Sequence, residues 1–130
     1  MSIVQTATTN FKIGLLDGTF NFDTGTTQTF KIALYTANAD LNASTTAYTT
    51  SGEVVGTGYT AGGQTLTISQ VPTSTGTVAY LSFSDVSWPS STLTARAALI
   101  YKYDGSTNPA VAVLDFGSDK ITVGGTFQLV

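Results

Sequence analysis

Between positions 53 and 67 the chain reads EVVGTGYTAGGQTLT, with four glycines, Gly56, Gly58, Gly62 and Gly63, inside eight positions. Glycine-rich stretches of this kind cradle phosphates when a helix follows and a lysine with serine or threonine closes the loop. Here Gln64-Thr65-Leu66-Thr67-Ile68 follows and alternates like a strand. A dinucleotide fingerprint also needs a helix after the glycines. The stretch therefore reads as a connection between strands, with glycine supplying the positive φ angles that other residues resist. Tyr59, in its middle, either packs over the end of a sheet or stands out as a contact residue.

Other chemistry-bearing residues give weaker patterns. Asp115-Phe116-Gly117 matches a kinase tripeptide, but the chain has no histidine for the catalytic loop of a kinase. Asp115 and Asp119 are two carboxylates where a calcium loop needs more. Asn42-Ala43-Ser44 is formally a glycosylation acceptor without a secretory leader ahead of it. Arg96 lies among apolar neighbours in TLTARAALIYKY and reads as a structural ion pair with Asp85 or Asp115, or as a subunit contact. Glu53 and the aspartates do not single out an acid–base pair for glycoside cleavage.

Composition narrows the classes further. With no cysteine and no histidine, the chain has neither disulfides and thiolate sites nor the commonest general base and metal ligand. No catalytic residue, cofactor or metal site is expected. Only 10% of residues are charged, against about 25% on average. Net charge is −3, and the five basic residues are scattered, so nucleic acid is not an expected partner. No apolar run reaches the roughly 20 residues of a membrane span, and MSIVQTATTNF has no secretory pattern.

The elements follow from periodicity. Phe30, Ile32 and Leu34 alternate with Lys31, Ala33 and Tyr35, the pattern of a half-buried strand. Further strands are expected over 77–88, 92–103, 110–116 and 121–130. Turn clusters separate them: PTSTGT at 72–77, WPSS at 88–91, DGSTNP at 104–109 and GSDK at 117–120. DGSTNP is a hairpin loop on chemical grounds, since Asp and Asn make local turns, Gly takes positive φ and Pro109 ends the loop. NFKIGLLDG, 10–18, reads as one short helix capped by Thr9 or Asn10 and ended by Gly18, although the alternation of Phe11, Ile13 and Leu15 equally allows a strand. Residues 39–52 read as a polar surface excursion. The expected fold is all-β: a single antiparallel β-sandwich over 11–130, jelly-roll or immunoglobulin-like, with a short N-terminal helix behind an arm, 1–10.

From NFKIGLLDG to the C-terminus, the chain resembles a group of small tailed-bacteriophage virion proteins. The blocks that carry the resemblance come in order: TFKIALYTANADLNASTTAYT, EVVGTGYTAGGQTLT, FSDVSWPSSTLTARAALIY, AVAVLDFG and GGTFQLV. It implies a structural protein of the virion, assembled in the bacterial cytoplasm, with the phage's major capsid protein or tail proteins as partners. The foremost expectation is a capsid decoration (cement) protein acting as a homo-oligomer, its arm bridging subunits. A tail, neck or fibre component with a receptor-binding role is the alternative. A carbohydrate-binding module, with Trp88 as stacking aromatic, is a more remote one. A threonine-rich, weakly charged β surface suits association, and tyrosine is enriched at interface cores. On those grounds Tyr59, Tyr35, Tyr48 and Arg96 are the expected partner contacts.

Overall fold

The computed structural model describes residues 2–23 and 28–130. The chain runs β1 (Thr6–Ala7), α1 (Thr9–Asp17), β2 (Thr29–Tyr35), β3 (Gln64–Thr65), β4 (Ile68–Thr75), β5 (Val78–Phe83), β6 (Val86–Tyr103) and β7 (Ala110–Leu129). Five strands form one antiparallel sheet in the order β1-β7-β6-β2-β3, and β4-β5 is a separate hairpin. The hairpin packs Ile68, Leu81 and Phe83 against the core of the large sheet. The result is the expected all-β, sandwich-like fold with one short helix.

The frame is the long β6–β7 hairpin. Its loop is DGSTNP, closed as its chemistry predicts. Asp104 accepts from the backbone N–H groups of Ser106, Thr107 and Asn108 at 2.8–2.9 Å. These bonds, that from Asn108 foremost, and the Thr107 hydroxyl hold its carboxyl well below the usual range. Two expected turns are instead absorbed into strands. β6 runs through Pro89 with a register shift between Trp88 and Ser91, and Ser90 takes a positive φ of 51°. β7 runs through 117–120 with a shift opposite Ala95–Ala97. The first is a bulge, which lets a strand bend without ending; the second is a larger irregularity, with residues 116–119 of β7 opposite Arg96 alone. In the β4–β5 hairpin, likewise, only Gly76-Thr77 turns, and Pro72 lies within β4.

Burial along β6 explains why no single period describes it. From Ser91 to Ala95, buried and exposed residues alternate, so one face of the sheet is covered. From Ala97 to Leu99 every residue is buried, because the excursion after β2 lays Ala39 and Leu41 over the second face. β2 behaves alike: Ile32 and Leu34 join the core under the hairpin, Ala33 and Tyr35 the core under the excursion. A strand covered on both faces loses the apolar–polar alternation.

The N-terminal segment is docked onto its own chain rather than projecting. Leu41 N–H donates to Ser2 O and Val4 N–H to Leu41 O, both at 2.9 Å. Thr6 and Ala7 pair with Val113 and Ala112, and the Gln5 side chain accepts from Asp115 N–H.

The helix α1 starts one residue earlier than expected. Its cap is Thr8, whose hydroxyl oxygen accepts from Phe11 N–H at 3.0 Å while its proton points at Ala110 O, 3.1 Å away. Thr8 alone has both a position before the first turn and a carbonyl on β7 to receive its proton. Gly18 ends the helix in the left-handed conformation, as expected. Gly14, unfavourable by propensity, is required by packing: a Cβ there would lie 2.3 Å from the Phe20 ring. Phe20 belongs to an aromatic cluster with Phe11, Phe22 and Phe30, in which Phe22 and Phe30 stack at 4.3 Å. Replacing Thr8 by alanine removes the cap and leaves a buried carbonyl without one of its donors. A loss of about 1–2 kcal/mol in urea-unfolding stability is expected, with Thr8→Ser recovering most of it.

Candidate functional site

Glu53 is a buried carboxylate, 8% exposed, and the glycine-rich stretch begins with it. It stands where the chain first returns to the free edge of β2: Glu53 bridges Tyr35, and Val54 N–H donates to Leu34 O. The chain then leaves the edge over residues 55–63 and rejoins it at Gln64, opposite Ile32. This 55–63 strap crosses onto β6, where Thr57 bridges Thr92. Its glycines allow that crossing: a Cβ on Gly56 would lie 2.4 Å from Thr92 O, and one on Gly63 1.8 Å from Ile32 O. The stretch is thus a connection along a sheet edge, as its sequence context indicated.

Three donors converge on the carboxylate. Tyr48 donates its hydroxyl proton to Oε1 at 2.6 Å, Tyr59 donates to Oε2 at 2.6 Å, and Gly62 N–H donates to Oε2 at 2.8 Å. The Tyr59 hydroxyl in turn accepts from Leu34 N–H at 3.0 Å, which takes up an edge donor left open where the strap departs from β2. Tyr101 fixes the other end of the strap by donating to Gly62 O at 2.7 Å, and its ring stacks on Tyr48 at 4.8 Å. Tyr35, fully buried, donates to Thr49 O at 2.6 Å. Four of the six tyrosines thus surround one carboxylate. Among the described residues the one ion pair is between Arg96 and Asp115, so no lysine or arginine neutralises Glu53; hydroxyl and amide dipoles do so instead.

The tyrosines respond electrostatically. Burial foremost, and then the hydrogen bond to Glu53, pushes the Tyr48 and Tyr59 hydroxyls well above the ordinary tyrosine range. Tyr35 is raised chiefly by burial. Tyr101 is pushed up to about 12 by burial and by the Glu53 charge. A tyrosinate here would lose its solvation and face a carboxylate. Chemically, the cluster orders backbone: both carboxylate oxygens are occupied by protein donors.

The expected contact residues fall in different places. Tyr35 is wholly internal; Tyr48 and Tyr59 are half-buried and direct their hydroxyls inward to Glu53. Tyr59 packs over the sheet, its ring 6.2 Å from that of Trp88. Arg96 is half-buried on β6, with Nε 3.5 Å from Asp115 Oδ1, one of the two partners anticipated. Trp88 is 2% exposed and meets Phe127 edge-on, so its ring is not free to stack on a sugar. Sequence reasoning missed Glu53 as the organising residue. The available signal was a carboxylate directly before two valines, with tyrosines five residues before it and six after.

The surface offers a second feature. Val55, at the start of the strap, is 96% exposed, beside Ile121 and Val123 of β7, 66% and 82% exposed. With Thr36, Thr92 and Thr94 they line an open trough whose lining carries no charged side chain. Beyond Asp115 the outer edge of β7 has no partner strand among the described residues. Leu16, on the outer side of α1, is 90% exposed. Among the described residues no three acidic side chains gather as a metal site, and no helix is long and apolar enough to cross a membrane.

Compared with known proteins, the chain matches no family model, no curated protein and no solved structure.

Proposed function

We propose that the protein is a structural component of a tailed-bacteriophage virion, acting as a decoration protein that binds the outer shell and stabilises it. The observation that carries this reading is the uncharged trough of Val55, Ile121 and Val123 rimmed by threonines. Such a surface associates without desolvating a charge, and exposed apolar patches mark interaction sites. The trough supports association; the assignment to a virion rests on the resemblance of the ordered sequence blocks to small virion proteins. Shell stabilisation then follows from mass action, because a protein that binds only the assembled state shifts the equilibrium toward it. The partner is the major capsid protein, with further copies of this chain alongside.

The test is the copy number in purified virions, by gel densitometry against the major capsid protein, for the wild type and for Val123→Asp. Hundreds of wild-type copies place the protein on the shell. A large drop for Val123→Asp, with urea stability within about 0.5 kcal/mol of wild type, assigns the contact to the trough. A handful of copies moves the protein to the tail, neck or fibre. Absence from the particle overturns both virion readings.

A further inference from the structure

We propose that Glu53 is a charge-dependent latch: its carboxylate holds the 55–63 strap against the β2 edge, and loss of that charge frees the strap while the β6–β7 frame stays folded. Two of the three donors to the carboxylate, Tyr59 Oη and Gly62 N–H, belong to the strap, and both bind Oε2. The third, Tyr48, comes from the excursion. One atom therefore ties the strap at two points three residues apart, and through the Tyr59 hydroxyl it also satisfies Leu34 N–H.

The groups facing Glu53 are Tyr35 from β2, Tyr48 from the excursion, Tyr59 from the strap and Tyr101 from β6. All are neutral hydroxyl-bearing rings, so nothing else supplies the charge. A proton placed on the carboxyl must find an acceptor among neighbours that all donate. The Tyr48 hydroxyl can turn to receive it, but the bonds to the strap then become neutral ones, with about half the strength of their charge-assisted form. The remaining ties of the strap do not involve the charge: Thr92 N–H to Thr57 O at 2.9 Å, Tyr101 to Gly62 O, and the Tyr59 ring packed near Trp88.

Opening the strap has a defined consequence. It uncovers the backbone of β2 at Leu34, whose N–H loses its acceptor, and it moves Val55 away from Ile121 and Val123. An open strand edge beside an apolar face is a template for strand addition. The latch is a property of the fold and holds whatever the trough binds.

Amide hydrogen exchange on the full chain tests it. Glu53→Gln keeps the shape and removes the charge. At pH 7 it should raise exchange about tenfold at Leu34 and Gly62, leaving the amides of Ala98, Leu99 and Val113 in the β6–β7 ladder within about twofold of wild type. Should Glu53→Gln fail to fold, Tyr59→Phe removes one strap tie and the Leu34 acceptor, and it should raise exchange at Leu34 and Gly62 while sparing the ladder. Equal acceleration in strap and ladder overturns the proposal, because the carboxylate then supports the whole fold. So does a strap whose exchange in Glu53→Gln matches that of the wild type.

Discussion

Gly63→Ala is expected to destabilise the protein by about 3 kcal/mol or more, whereas Gly117→Ala should cost only about 1 kcal/mol. Both glycines have nearly the same backbone, with φ of 77° and 81°. A side chain at either position therefore carries the same left-handed penalty, on the order of 1 kcal/mol. They differ in surroundings. A Cβ on Gly117 meets nothing within 4 Å, whereas one on Gly63 would fall 1.8 Å from Ile32 O and 2.6 Å from Ile32 C. These are backbone atoms of a central strand and cannot swing aside as a side chain does. The clash pushes β3 off β2, breaking the pairing of Gln64 and Thr65 with Ile32 and Lys31, and it displaces Gly62 from Glu53. Urea unfolding of the two variants separates close approach from φ strain. Equal losses would mean that only the φ angle matters at Gly63.

The second large effect is a steep loss of stability in alkali. Tyr35, Tyr48, Tyr59 and Tyr101 all have hydroxyls raised above the ordinary value, Tyr101 to about 12. The unfolded chain releases these protons near pH 10, while the folded chain keeps them. Above that pH the unfolded state therefore binds fewer protons, so stability falls as pH rises; below it this contribution is fully present. Each retained proton is equivalent to about 1.4 kcal/mol per pH unit. With Tyr48 counted only in part, because it keeps some contact with water, the slope between pH 10.5 and 12 should be on the order of 4 kcal/mol per unit. The tyrosinate absorbance of these four should then rise in one cooperative step, together with the change in Trp88 fluorescence on unfolding. Gradual ionisation of these four with Trp88 still buried would contradict the cage around Glu53.

Together these results separate what the chain encodes locally from what its packing decides. The β class was legible because period two is a local property: Phe30, Ile32 and Leu34 had to share a face. The hairpin loop at 104–109 and the stop at Gly18 were legible for the same reason, since Asp104, Asn108 and the glycines act within four residues of themselves. The Arg96–Asp115 pair could be narrowed to two carboxylates because a half-buried cation needs a partner from a neighbouring strand. Other features depended on residues distant in sequence. The N-cap fell to Thr8 because Ala110, more than a hundred positions away, offers its carbonyl. Pro89 and Gly117, turn formers by local chemistry, were carried inside strands because β6 and β7 pair on both sides of them and take up the mismatch as register shifts. The tyrosines looked like surface contacts because composition cannot show where a hydroxyl points. Only folding the strap back on β2 brings Tyr48, Tyr59 and Gly62 to one carboxylate. The sequence by itself determined the β class, the loop at 104–109, the helix stop at Gly18 and the weakly charged composition, since these follow from short-range periodicity and residue type. The tertiary structure alone decided that Glu53 is buried, what holds it there, and which apolar residues remain outside, because burial depends on which segments cover which face.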